Sequence, residues 1–541
     1  MIPARARNQA NVEILPPPVA PRRRTEAWIP CALALLFFLM ALRGVGRTDV
    51  IDTDAARHAM NGAFVYDLLR TGHWSSPIEY AKSYYGHYPA ISMPYHPPLF
   101  PAIEALLFAV FGVKLLTARL AIALAAAISA ALLFRLARVT LGHPLLAACV
   151  TITTFSLWTV QHVAGDVMLE LPALAFTFAA VICLRDLDRS YSMRRALCFA
   201  LFASAAVWTK QHTVFLGGIP ILHAVLTRRW RRLVGAPLLV STVLFSIAVL
   251  ALIRLSRMFH GTGIDQISTS TSDVYWILTK TLPAYYNWIT TALKGLPGVF
   301  AAAALGIYAW SARRQQKNRP QLALYFAWVL ALSALLIDLG PVSPRYLVFM
   351  FPATIMIGYA WLFHGCSRLW SERTANLVIA GFAAAWFAVG MFVPVESLRG
   401  PKAAAEVVVQ GTPARVLYIG PADGNFVFAV RTLDPQLQMT VLPAGKLPRK
   451  MLEDIGIETF CRRYGIEWVV FENVAGRQAW AKIHDGLQAF GNLVKSVPLE
   501  SNRFRWRAGS VEVYRFAANN HPNEVLPLPV VLPGGNIALK F

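Results

Sequence analysis

Charged groups beside apolar helices are the residues of this sequence best placed to do chemistry. Charge at a bilayer surface costs a few kcal/mol once buried, so several such groups among aromatics point to use. The first group lies in a long loop that opens RTDVIDTDAARHAMNGAFVYDLLRTGHW and closes with YHPPLFP, with carboxylates at Asp49, Asp52 and Asp54. Asp54 precedes a helical pattern that puts Ala59, Phe64 and Leu68 on one face, so it reads as a site carboxylate or as the helix N-cap. A second acidic pair, Asp166 and Glu170, opens the helix VMLELPALAFTFAAV. At i, i+4 the two share a face, and the helix N-terminus lowers the cost of their charge. His162 could be their partner, which leaves a site and a plain ion pair both open. Candidate cations are His96 in YHPPLF, Lys210 and His212 in WTKQHT, and Arg345, followed by Tyr346, in SPRYLVF. Carboxylates facing Lys, His and Arg suit a reaction whose acceptor loses a proton and whose leaving group is an anion. Lys210 suits phosphate as a point charge and Arg345 by bidentate hydrogen bonds. The bland alternative is that both snorkel to lipid headgroups.

The elements that must hold these residues are membrane helices. Of 541 residues, 56% are hydrophobic and 15% charged, which describes a polytopic membrane protein rather than a soluble enzyme. A net charge of +22 could indicate a nucleic-acid partner, so its placement decides. Arg22–Arg24, Arg135 and Arg138, Arg185 to Arg195, Arg228 to Arg232, Arg313 to Arg319, and Arg368 with Arg373 all lie in short tracts between apolar runs. That is the positive-inside pattern of cytoplasmic loops, and nucleic-acid binding is unnecessary. About eleven spans of about 20 residues are expected, beginning near Trp28, Thr117, Pro144, Val167, Ala196, Thr213, Leu233, Tyr286, Gln321, Arg345 and Thr374.

The apolar stretch 98–116 is left out of that count. If it crossed, every later Arg tract would fall outside, so it is expected to be an interfacial or re-entrant helix with Glu104 and Lys114 facing water or protein. The same parity places the first loop, 44–116, on the outer face of the inner membrane with the site residues, and the N-terminus in the cytoplasm. Residues 1–26 are expected to be disordered, 27–393 to form the membrane domain, 394–520 an outer α/β domain, and 521–541 a Pro-rich extended tail. Within the outer domain PARVLYIG, MTVLPA and IEWVVFEN read as strands, and FRWRAGSVEVYRF as a hairpin about Ala508, Gly509 and Ser510. The GPADG turn reads as a plain strand-to-helix turn before a phosphate cradle. The Ser/Thr-rich segment within 256–284 is either a lid or acceptor contact, or a solvated connector. The six cysteines mostly sit in apolar runs, so neither a disulfide nor a metal cluster is expected.

Together these motifs resemble the GT-C class of membrane glycosyltransferases, in particular family 39, the protein O-mannosyltransferase and aminoarabinose transferase group. Over about the first 360 residues, DAARHAMNGAFVYDLLRTGHW is similar to the family's D-E-x-R-Y-A, helix and G-D-W, placing its Asp at Asp54, its Arg at Arg57 and its Trp at Trp74. Ala55 and His58 replace the second acid and the Tyr, with Asp52 as the nearby substitute. YHPPLFP resembles the family's H-P-P segment, MLELP its M-L-D-P turn, WTKQ its T-K-G and PRYLVFMFPA its R-Y-L-L-P-L-L-P-A. The resemblance implies a mainly α, GT-C-like bundle with interfacial helices in the first loop and a small C-terminal α/β domain. It also implies sugar transfer, with inversion, from a polyprenyl-phosphate donor to a hydroxyl-bearing protein, lipid or glycan. Asp54, Glu170 and Asp166 would be catalytic, Lys210, His96, Arg345 and Tyr346 would hold the donor phosphate, and Asp52, Arg57 and His58 would support them. No cofactor is implied; Mg²⁺ or Mn²⁺ on the carboxylates is chemically feasible but not required. Readings from other classes are a secondary transporter, a lipid flippase, or an assembly protein with no enzymatic site.

Overall fold

The first long helix after the N-terminal span begins where Asp52 caps it: its side chain accepts the N–H of Asp54 at 2.9 Å, in a computed structural model of the protein. The described residues are 26–257, 276–292, 320–340, 343–411, 413–447, 450–474, 480–502, 509–516, 527–532 and 535–540. Most of the N-terminal segment 1–26, the Ser/Thr-rich stretch 258–275 and most of the expected span from Tyr286 lie outside them.

In chain order the helices that matter are α1 (Trp28–Ala41), α2 (Thr53–Arg70), α3 (Pro77–His87), α4 (Leu99–Phe111), α5 (Leu115–Leu141), α6 (Pro144–Ser156), α7 (Trp158–Ala164), α8 (Glu170–Ser190), α9 (Met193–Thr209), α10 (Gly218–Leu226), α11 (Ala236–Arg257), α12 (Leu282–Ala292), α13 (Pro320–Leu339), α14 (Phe351–Leu369) and α15 (Glu372–Met391). Among the described residues, five helices are long and apolar enough to cross a membrane, or six if α6 and α7, bent by 69°, count as one broken span. Other expected spans are helices as well, but α8 carries charges at both ends and α9 stops at Lys210. The run from Gln211 opens as a 3₁₀ turn before α10, and Pro344–Phe349 forms a 3₁₀ turn before α14. Helices break where the candidate site residues sit.

The stretch 98–116 contains α4, whose 13 residues span only about 20 Å at 1.5 Å per residue, against about 30 Å of hydrocarbon. Gly112, at φ +79°, ends it before α5 starts. Glu104 is fully buried against α2, facing Gly62, and Lys114 is exposed. A small-residue stripe on α2 permits this packing: Ala55, Ala56, Ala59 and Ala63 are fully buried, and a Cβ on Gly62 would stand 2.3 Å from the Glu104 carboxyl.

The C-terminal region holds α16 (Pro401–Val408), α17 (Asp423–Leu433) and a six-stranded sheet ordered β1-β5-β6-β4-β2-β3. Its strands are β1 (Leu398–Arg399), β2 (Arg415–Ile419), β3 (Thr440–Pro443), β4 (Trp468–Val474), β5 (Asn492–Ser501) and β6 (Gly509–Arg515). β2 pairs parallel with β3 and β4, and the connections carry helices such as α17, as parallel pairing requires. The hairpin differs from expectation: β6 starts at Gly509 and pairs antiparallel with β5, while the anticipated first arm lies in the undescribed 503–508. In the Pro-rich tail, β7 (Pro527–Leu532) and β8 (Gly535–Lys540) form a two-stranded antiparallel sheet. One side of the sheet region shares the apolar core of the helical bundle, in which Phe37 and Leu133 belong to the same cluster as Phe426 and Val441, and the other side builds a second core with Leu417, Ile419 and Phe471.

Candidate active site

Two helix starts and two breaks in helical structure bring the nominated charges together. Asp54 lies in the first turn of α2, Glu170 starts α8, and Lys210 adopts an extended conformation (φ −151°, ψ 116°) between α9 and the 3₁₀ turn Gln211–Gly217. Arg345 and Tyr346 open the 3₁₀ turn led by Pro344. Lys210 Nζ donates to Glu170 Oε1 at 2.7 Å, and Arg345 Nη2 donates to Asp54 Oδ2 at 2.7 Å. Arg345 Nε lies 3.4 Å from Glu170 Oε1, so this guanidinium bridges the two carboxylates. Arg57 Nη1 is 3.4 Å from Asp54 Oδ1. Two carboxylates against Arg57, Lys210 and Arg345 leave the cluster at a formal charge of one positive.

Access separates the two acids. The Asp54 side chain is 28% exposed and that of Glu170 is fully buried. Burial pushes the Asp54 carboxyl up, but the charge and hydrogen bond of Arg345 outweigh this and hold it below the usual carboxylate range. It is therefore ionised at neutral pH.

Aromatic rings floor the cations. Tyr346 has its ring centroid 5.1 Å from Lys210 Nζ and 5.6 Å from Arg345 Cζ, and His212 stacks on it at 4.1 Å. His96 meets His58 edge-on at 4.4 Å, and Tyr95 meets His96 at 4.8 Å. Burial drives the His96 imidazole down to about 3, against the pull of Asp54. Burial, and then His96 and Lys210, likewise hold His58 well below its usual range. Both rings are neutral at pH 7, so His96 contributes a hydrogen-bonding nitrogen and not the positive charge expected from its residue type.

Three expectations need correction. Asp52, not Asp54, is the N-cap of α2, because its carboxylate accepts the free N–H of Asp54 two residues ahead. Asp166 and Glu170 do not share a helix face, since α8 begins only at Glu170. Asp166 instead accepts the N–H of Asp52 at 2.8 Å and of Val167 at 2.9 Å, so it braces the approach to α2 outside the charge cluster. Burial raises its carboxyl to about 6, with Arg119 opposing. His162 pairs with Glu396 at 2.9 Å rather than with either acid. Trp74, matched to the family motif, is 74% exposed. Tyr95 and the stacking role of His212 were not foreseen, although each directly adjoins or nearly adjoins a nominated residue in the chain.

The family model for dolichyl-phosphate-mannose-protein mannosyltransferases matches residues 95–254. The structure of ArnT from Cupriavidus metallidurans bound to undecaprenyl phosphate superposes with a TM-score of 0.59 at 16% identity, over 92% of this chain and 99% of that one. The chain has the GT-C fold. Apo ArnT from the same organism gives a TM-score of 0.58 at 14% identity, over 91% of this chain and 98% of that one. The GT-C fold extends to the arabinofuranosyltransferase AftD from Mycobacteria, with a TM-score of 0.50 at 14% identity, over 94% of this chain and 41% of that one. No curated protein matches the chain by sequence. The multi-pass helical architecture of this chain is thus of the GT-C fold, to which it adds a C-terminal sheet region.

Proposed function

We infer that this GT-C protein is a membrane glycosyltransferase that moves a sugar from a polyprenyl-phosphate carrier to a hydroxyl-bearing acceptor. The observation that carries the reading is the bridging of Asp54 and Glu170 by Arg345, with Lys210 beside them and one positive charge in excess. ArnT, bound to undecaprenyl phosphate, lends the donor class. The positive-inside rule favours the outer face of the inner membrane for this end of the bundle.

In the proposed reaction the acceptor O–H gives its proton to Asp54, the accessible carboxylate, as its oxygen bonds to the anomeric carbon. The bond from that carbon to the phosphate oxygen breaks with its electron pair on oxygen, and a single displacement inverts the centre. The departing polyprenyl phosphate gains negative charge, which Lys210 and Arg345 offset. As the phosphate draws on Arg345, Asp54 loses the charge that held its pKa low and becomes the stronger base. Glu170, out of reach of an acceptor, keeps Lys210 and Arg345 in register. Tyr346 and His212 hold the cations from below, and His96 with His58 line the Asp54 side.

The test is incubation of the purified protein with a panel of polyprenyl-phosphate sugars and acceptors, reading release of polyprenyl phosphate. Release with at least one donor, reduced about 10²- to 10⁴-fold by Asp54→Asn, supports the assignment. Release that is indifferent to Asp54→Asn, Glu170→Gln and Lys210→Ala together contradicts it.

A further inference from the structure

At the far end of α8 from Glu170 the chain builds a second charged hollow, which sugar transfer does not use. Arg189 lies 19 residues beyond Glu170, or about 28 Å along the helix, close to a full hydrocarbon thickness. A cavity of about 280 Å³ is lined there by Arg185, Arg189, Arg229, Arg232, His223 and Asp188. Four guanidinium groups thus face one carboxylate.

This is a constructed hollow and not a loose basic surface. Asp188 accepts from Arg229 Nη1 at 3.0 Å and from Arg232 Nη1 at 2.5 Å, tying the loop after α10 to α8. Tyr191, held at φ +33° where α8 ends, donates its hydroxyl to the Arg232 carbonyl at 2.5 Å and lies under that guanidinium at 5.5 Å. A Cβ on Gly235 would come within 2.2 Å of the Tyr191 hydroxyl, so glycine is needed for the closure. Arg185 is 4% exposed, and its Nε has no hydrogen-bond partner among the described residues. Burying such a donor unpaired is costly unless a ligand completes it.

The hollow adjoins a smaller one with more apolar walls. The neighbouring cavity shares Asp188, His223, Arg229 and Arg232 and adds Leu184, Leu187, Pro220 and Leu238 beside Tyr191 and Thr227. Trp230, within the same arginine loop, is 55% exposed, as an indole at the headgroup level would be. Cationic groups at one end and leucine side chains at the other are complementary to a phosphate diester carrying acyl chains.

We propose that this cavity binds the phosphate of an anionic glycerophospholipid on the membrane face opposite the carboxylate cluster. Guanidinium groups supply paired donors to the phosphate oxygens, and Leu184, Leu187 and Leu238 lie against the start of an acyl chain. The proposal does not depend on sugar transfer.

The experiment uses the full-length, delipidated protein in neutral detergent, titrated with dioleoylphosphatidylglycerol or dioleoylphosphatidylcholine and read by native mass spectrometry. Arg189 is exposed and forms no ion pair among the described residues, so Arg189→Ala leaves the fold intact. The expected result is preference for phosphatidylglycerol, weakened about fivefold by R189A and about 25-fold by Arg189→Glu. Arg463→Ala, which removes a charge from the C-terminal region, is expected to leave it unchanged. Equal retention of the two lipids, or an R463A loss matching that of R189A, overturns the proposal. So does a site that takes inorganic phosphate but not phosphatidylglycerol.

Discussion

Helix α2 carries two charge clusters, and they are built on opposite terms. Asp54 near its start and Asp67 near its end are 13 residues apart, or about 20 Å. At the Asp67 end the network is closed. Arg431 donates from Nε and Nη2 to the two oxygens of Asp67 at 2.8 and 2.6 Å, and Tyr84 adds a third bond at 3.0 Å. Asp434 takes the Tyr88 hydroxyl at 2.5 Å and the Met439 N–H at 2.7 Å, and its carbonyl accepts from Arg431 at 3.3 Å. At the Asp54 end the network is open. Glu170 Oε2, His58 Nδ1, His212 Nδ1 and Gln211 Oε1 are buried without a hydrogen-bond partner among the described residues. A closed network fixes one geometry, whereas an open one retains groups able to meet a reactant. The closed cluster joins the C-terminal region to α2 and so helps to aim the helix that presents Asp54.

Breaking the open cluster should show first in rate. Asp54→Asn is expected to lower polyprenyl-phosphate release about 10²- to 10⁴-fold, and Lys210→Met about 10²- to 10³-fold, with the secondary structure retained by circular dichroism. Breaking the closed cluster should show first in stability. Arg431→Met removes the two-pronged partner of buried Asp67 and leaves it Tyr84 and, at 3.6 Å, Arg70; at a cost of about 3–5 kcal/mol it is expected to lower the unfolding temperature and open the C-terminal region to protease. If R431M unfolds like the wild type, the closed cluster is not what joins the two parts.

A third buried acid sharpens the contrast with the smallest effect. Both Glu104 oxygens are buried against α2 with no partner among the described residues, and burial holds the carboxyl well above its usual range. The folded state keeps this proton after the unfolded chain has lost it. Its contribution to stability is therefore full at pH below the unfolded value, and declines as pH rises from there towards the folded value. Glu104→Gln removes that titration, so the unfolding temperature of the wild type is expected to fall more steeply between pH 4.5 and pH 8 than that of E104Q. Parallel curves would mean that Glu104 is ionised in the folded protein.

What could be read from the chain followed from short-range rules. The strands at PARVLYIG, MTVLPA and IEWVVFEN, the short helix within 98–116, and the gathering of Asp54, Glu170, Lys210 and Arg345 came from apolar periodicity, charge placement and motif order. Three things did not. Asp166 was paired with Glu170 by an i, i+4 rule that holds only inside a helix, and the turn before α8 breaks it. His96 was counted as a cation because burial, which neutralises it, depends on neighbours distant in the chain. Arg431 and Asp67 are 364 positions apart, and no local signal links them.

The most direct measurement is the initial rate of polyprenyl-phosphate release per folded molecule, compared between Asp54→Asn and Arg431→Met under one set of conditions. The expected result is a loss of at least about a hundredfold for D54N and a far smaller loss for R431M. A D54N rate equal to that of the wild type, or equal losses in both variants, would contradict the division of α2 into a chemical end and a structural end.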